Sequence, residues 1–336
     1  MSTRLPHWLA WLLVLATFPL VWMGGLVTTY GAGMAVPDWP RTFGWWWYPV
    51  RSWLVVWDVF LEHGHRVIAM SVGLVTIALA VALWLGDRRK GIRWLGLAAI
   101  VGVCFQGTLG GLRVIGNEII LADVHGCTAP LFFSLGAALV VLTSSRWLAA
   151  SPGTAVWHCL PAEKTRTIGE SSLRRASSGT REGATRYQRL ALVMAVLVYV
   201  QIVLGAQLRH RLPGAALYWF QLWVWLHLAS AALQGALLVA LVRSPARQGQ
   251  PMLRRRAWLV AVLYLVQLAL GVLTWITHYG LPGWFRDYLW TIDYTVVTKG
   301  RLQALSTTGH VAAGSLALVV ALSLALWSRR LLAEKT

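Results

Sequence analysis

The chain has 336 residues, 57% of them hydrophobic and only 12% charged, with a mean hydropathy of +0.59. Soluble globular domains are far less apolar, so these values exclude that class and indicate a polytopic membrane protein. A net charge of +18 would suggest nucleic acid in a soluble protein; here the distribution of the charge decides its meaning, and no nucleic-acid partner is expected.

Runs of about 18 or more apolar residues fall near 8–29, 65–86, 94–115, 125–145, 190–208, 221–242, 257–277 and 307–328. With the N-terminus inside, the inner segments hold 21 of the 30 lysines and arginines. Both termini are therefore expected inside, and every even-numbered span begins on the outer side. The first span lacks a small-residue cleavage site and is read as a retained helix.

Span one ends in Gly24-Gly25-Leu26-Val27-Thr28-Thr29. The outer loop that follows carries Pro37-Asp38-Trp39-Pro40 and Trp45-Trp46-Trp47-Tyr48, either an interfacial aromatic belt or a platform for a flat ligand. Glu62-His63-Gly64-His65-Arg66 then opens span two, placing ionisable groups at a bilayer surface, where they are costly and read as functional. Helical spacing puts Glu62, His65 and Arg66 on one face and turns His63 away. A surface ion pair between Glu62 and Arg66 is the bland reading of that face. The turn 87–93 is basic and needs only the positive-inside rule.

Span three carries Gln106-Gly107-Thr108-Leu109-Gly110-Gly111, echoed by Gln201-Ile202-Val203-Leu204-Gly205-Ala206-Gln207 in span five and Gln267-Leu268-Ala269-Leu270-Gly271-Val272 in span seven. Small residues there admit a close helix or a planar ligand. His125, His227 and His310 stand near the starts of spans four, six and eight, as His65 does in span two, so the four share the outer layer. The two halves repeat one plan, a parallel repeat of four spans. Residues 151–186 between them are polar and read as a flexible cytoplasmic linker. The expected organisation is a first half over 1–150, the linker, and a second half over 187–336. A second outer excursion, 277–306, holds Pro282-Gly283-Trp284-Phe285 and ends in Lys299-Gly300-Arg301. Cys104, Cys127 and Cys159 show no zinc spacing and no evident pairing.

One histidine at a helix end is commonly an interfacial polar residue, but two equivalent pairs in two four-helix bundles suit haem iron ligated from both sides. The halves differ, since Val224 and Leu228 stand where the first has Glu62 and Arg66. The first half is therefore expected to do chemistry and the second to move electrons. Arg66, Arg113, Arg209, Arg211 and Arg301 are the cations available to haem propionates.

The set running from Gly24-Gly25-Leu26-Val27-Thr28 through Pro37-Asp38-Trp39-Pro40, Glu62-x-x-His65-Arg66, Gln106-Gly107-x-Leu109-Gly110-Gly111 and His125 to the later histidines resembles the haem A synthases of cytochrome oxidase assembly. The resemblance implies an all-α integral membrane protein of eight helices in two four-helix halves, in a bacterial inner membrane, with its haem sites toward the outer side. It further implies oxidation of a methyl group of haem O to a formyl group, with haem O as substrate and a resident haem b as cofactor. By the same pattern His227 and His310 ligate haem b, His65 and His125 lie at the substrate haem with Arg66, and Glu62 and His65 are catalytic. Haem O synthase and cytochrome oxidase assembly factors are the partners it implies, alongside membrane lipid. Some relatives carry a cysteine pair in the first outer loop, where this chain has Val36 and Thr42. Two other classes stay open: a haem carrier that does not oxidise its cargo, and a di-haem electron-transfer protein.

Overall fold

A computed structural model describes residues 4–116, 118–150, 170–210, 214, 216–244, 246, 250–281 and 296–332, with the backbone alone for 170–180. Its helices are α1 (Arg4–Tyr30), α2 (Val50–Trp53), α3 (Trp57–Gly86), α4 (Lys90–Gly116), α5 (Ile119–Thr143), α6 (Ser145–Ala149), α7 (Glu170–Arg209), α8 (Leu217–Arg243), α9 (Pro251–Tyr279) and α10 (Arg301–Leu332). Among the described residues there is no strand, only a bridge between Thr42 and Trp45. Eight helices are long and apolar enough to cross a membrane, and the chain is an integral multi-pass membrane protein.

Within the first four spans α1 packs on α3 and α5, and α4 packs on α3 and α5; in the last four α7 packs on α8 and α10, and α9 on α10. The most enclosed helix is α10, which also touches α1 and α5 and so lies on the seam between the two sets. Small residues along it, including Ala312, Gly314, Ala317 and Ala321, permit that close approach. One apolar cluster joins Ala10, Leu13, Leu79, Leu83, Phe132 and Leu139, and another joins Tyr187, Met194, Leu241, Leu253, Leu324 and Trp327. Both lie toward the ends of the helices remote from the four candidate histidines. A third, smaller cluster of Val27, Ala32 and Leu61 lies at the histidine end, beside the polar groups there.

Residues 170–186 belong to α7, so the helix begins within the stretch expected to be flexible; 151–169, with His158 and Cys159, lie outside the described residues. So do Pro282 to Phe285 and Arg211. The basic turn after α3 does more than mark sidedness. Arg89 donates to Asp87 Oδ2 at 2.6 Å and to the Leu142 carbonyl at 3.0 Å, tying the turn to α5. Burial alone would raise the Asp87 carboxyl, but the Arg89 hydrogen bonds and charge outweigh it and hold it below the usual range.

Candidate functional site

The four histidines gather at one end of the bundle, each two to three turns inside the N-terminal end of its helix: His65 on α3, His125 on α5, His227 on α8 and His310 on α10. Each imidazole lies against a glycine of a neighbouring helix. A Cβ built on Gly24, Gly110, Gly205 or Gly271 would stand 3.1, 3.4, 3.3 or 3.2 Å from the Cε1 of His65, His125, His227 or His310 respectively. A side chain at Gly24, Gly205 or Gly271 would press on the ring, so glycine lets the Cε1 edge of the imidazole come close to the helix, while at Gly110 the contact reaches ordinary van der Waals range. The Gln-x-x-x-Gly echo in spans three, five and seven therefore marks histidine beds.

In all four rings Nδ1 is buried and closes no hydrogen bond. The carbonyls of Leu20, Gln106, Gln201 and Gln267, each four residues before the bedding glycine, act on the four rings electrostatically. A proton on Nδ1 facing those carbonyls leaves Nε2 as the free donor. His227 and His310 face each other with ring centroids 6.3 Å apart. With metal–imidazole bonds of about 2 Å, two imidazoles on opposite sides of one metal ion have centroids roughly 6 Å apart. Among the described residues, no three His, Cys, Asp or Glu gather as a metal-ion site. Two imidazoles and nothing more suit a metal that arrives with its other ligands, as haem iron does, and the residues fit that group.

Beside the first pair, Glu62 is buried and fully engaged. The Val36 N–H donates to its Oε2 at 2.9 Å, and Arg66 Nη2 donates to Oε1 at 2.7 Å. Arg66 also donates to the carbonyls of Val36, Asp38 and Arg41 at 3.0, 2.7 and 3.0 Å. The Glu62–Arg66 pair is therefore a largely buried hub that pins the loop between α1 and α2 onto α3, which differs from the bland reading of a surface ion pair. Removing one partner of such a pair costs more than a surface pair contributes.

His63, turned away from Glu62 as expected, accepts or donates at 3.0 Å with Thr42 Oγ1 and sits edge-on to Trp53 and Tyr48. Asp38 receives the N–H groups of Phe43 and Gly44, both at 2.7 Å, closing a turn in which both residues have positive φ. Burial would raise the Asp38 carboxyl, but those two amides and the Arg66 charge outweigh it and hold it below its ordinary range. The positions that hold cysteine in some relatives are thus occupied by other contacts: Val36 is buried against Glu62, and Thr42 bonds His63. Trp39 lies over Gly111, whereas Trp45, Trp46 and Trp47 are exposed, which suits an interfacial belt.

Of the remaining cations, Arg113 donates to the Gly33 carbonyl at 3.1 Å, and Arg209 reaches from α7 to the Gly25 carbonyl at 2.7 Å and Thr29 Oγ1 at 2.8 Å. Gln207 donates to Asp123 at 2.6 Å, a second bond across the seam. Just beyond α7, burial and then Arg209 push the His210 imidazole down to about 4, with Asp123 opposing and Arg113 adding to the shift.

Residues 56–222 match the COX15-CtaA family, described as cytochrome oxidase assembly protein. The match covers Glu62, His65, Arg66 and His125 and stops short of His227 and His310. No curated protein matches the chain. With the first histidine pair and its Glu62–Arg66 hub inside the matched stretch, the chain belongs to the COX15-CtaA, or haem A synthase, family of cytochrome oxidase assembly proteins.

Proposed function

We propose that this chain oxidises one methyl substituent of haem O to a formyl group by successive hydroxylation, a four-electron loss whose electrons pass to an external acceptor and whose protons go to solvent, with the substrate held at His65 and His125 and a haem b resident between His227 and His310. The observation that carries the proposal is the repeated two-imidazole bed: four histidines, each laid on a glycine with Nδ1 enclosed, and, among the described residues, no group of three metal-binding side chains at either pair. A bare zinc site would need three or four protein ligands, whereas a macrocycle brings its own. When bound at the second pair, haem b supplies reversible one-electron transfer.

The chain's own residues do the rest. The glycine beds fix ring rotation and direct Nε2 into the space between helices. Glu62 lies one helical turn from His65 and is fixed by two hydrogen bonds, so its carboxylate can orient a water or stabilise positive charge at the carbon being oxidised. The loop over 31–49, pinned by Arg66, His63 and Asp38, roofs that end and limits water there. We place the protein in a bacterial inner membrane with these sites on the outer side, from the lysine and arginine asymmetry.

One observation favours a second reading. Both Glu62 oxygens already serve the loop, which a haem carrier or di-haem electron-transfer protein would need equally well. Pigment extraction from a host that makes haem O separates the two. Haem A is expected with the wild-type gene and absent with Glu62→Ala, while haem b binding persists in both. Bound haem b without haem A in any sample, despite available haem O, would select the second reading.

A further inference from the structure

Among the described residues, two arginines at the histidine end have no carboxylate partner. The described residues contain two ion pairs, Glu62–Arg66 and Asp87–Arg89, and neither involves Arg113 or Arg209. Each sits one turn past a bedding glycine: Arg113 follows Gly110 by three residues on α4, and Arg209 follows Gly205 by four on α7. Each is partly buried and donates to the protein through Nη2 only, to the Gly33 carbonyl in one case and to Gly25 and Thr29 in the other. A guanidinium has five N–H donors, so most of the fork is uncommitted in both.

The two cations also share one neighbour, His210, and both donate to the end of α1 or the loop just after it. Arg113 lies within electrostatic reach of His65 and of His125, and both Arg113 and Arg209 act on His210. The other charged groups in reach are already bonded: Glu62 to Arg66 and Val36, and Asp123 to Gln207 and Cys127. Partly buried cations that lack an ion-pair partner and reach the same end of α1 and its following loop are costly unless an anion joins them. Guanidinium forks match carboxylates in particular, two parallel bonds at a time.

We propose that Arg113 and Arg209 form a carboxylate-binding rim at the histidine end of the seam, taking the acidic side chains of the planar macrocycle held by His65 and His125. This rests on the haem reading above and adds what that reading lacks, a device that sets orientation. Two trans imidazoles hold a metal but leave the ring free to rotate about the metal–nitrogen axis. A porphyrin with both propionates on one edge loses that freedom once the edge is clamped, and the clamp then decides which methyl faces Glu62. Arg113 and Arg209 are thus positioning residues. Gly33, over which Arg113 lies, is the point where any side chain would displace the clamp.

The test is an optical titration of the full chain in neutral detergent, in a His310→Ala background, with iron protoporphyrin IX and with its dimethyl ester. The rim predicts that the parent binds the diacid more tightly than the ester. Arg113→Gln and Arg209→Gln should each weaken diacid binding by about tenfold, the loss of one charge-assisted hydrogen bond, and leave the ester unchanged. Arg113→Lys, which keeps the charge and loses the fork, should fall between. Diacid and ester weakening together would reveal a merely structural role, and neither weakening would assign the cations to another anion such as a lipid headgroup; both overturn the rim. Equal binding of diacid and ester by the parent, abolished by His65→Ala, would sink the rim and spare the haem site. Binding of neither porphyrin would sink both.

Discussion

The smallest unit that decides function here is a contact between a glycine and an imidazole. At Gly271 an added Cβ would lie 3.2 Å from His310 Cε1, closer than ordinary van der Waals contact, so the ring must tilt by a few tenths of an ångström. Alanine in place of glycine otherwise favours a helix by about 1 kcal/mol. Gly271→Ala is therefore expected to keep or raise the melting temperature of the haem-free protein while lowering the haem retained by the second pair. Gly107 is the control, since nothing lies within 4 Å of its added Cβ. Gly107→Ala should leave haem content untouched, and an equal loss in both variants, read from pigment per protein, would refute the bed.

At the scale of the element, the loop between α1 and α2 is an assembled unit cross-braced to α3 and, through Arg113, to α4. Arg66 supplies three of them, to loop carbonyls, and is itself held by Glu62 one turn away on α3. Lysine keeps the charge but cannot span those acceptors with one ammonium. Hydrogen bonds to a charged group contribute about 1.5–3 kcal/mol each, so Arg66→Lys should release the loop without unfolding the spans. Faster hydrogen exchange at 36–45 with unchanged exchange in α3 is the expected result; unchanged loop exchange would mean that Asp38 and His63 hold it unaided. That Arg66 serves the loop was not legible from its i, i+4 spacing to Glu62, because its other acceptors are carbonyls 25 to 30 residues away.

For the whole molecule the decisive feature is the seam, where α10 meets α1 and α5 and where Arg209 and Gln207 cross from α7. His210 sits at its end with a folded-state value of about 4 against an ordinary 6.5. Between those values the unfolded chain binds a proton that the folded chain does not, so stability falls as pH drops from about 6.5 to about 4. His210→Gln should flatten that part of the curve of melting temperature against pH while leaving the region above pH 7 alike. An unchanged acid limb would assign the loss to other groups.

The eight spans and the four histidines near their starts were legible in the linear chain, because bilayer thickness imposes run length and because an ionisable group in such a run is rare enough to notice. The glycines that follow glutamine at a spacing of four were visible too, but glycine in a membrane helix has several uses, and only the neighbouring helix shows that these bed an imidazole. The start of α7 at Glu170 was missed because its polar first turns carry no apolar period. Sequence alone therefore determined which segments cross and which residue types stand at each crossing, since these follow from local hydropathy. Only the tertiary structure decided that Glu62 and Arg66 form one hub beneath the loop, that His227 and His310 face each other at 6.3 Å, and that Arg113 and Arg209 both reach the end of α1 and the loop after it. Those relations depend on how helices rotate about their own axes, which packing between distant segments sets and no local pattern records.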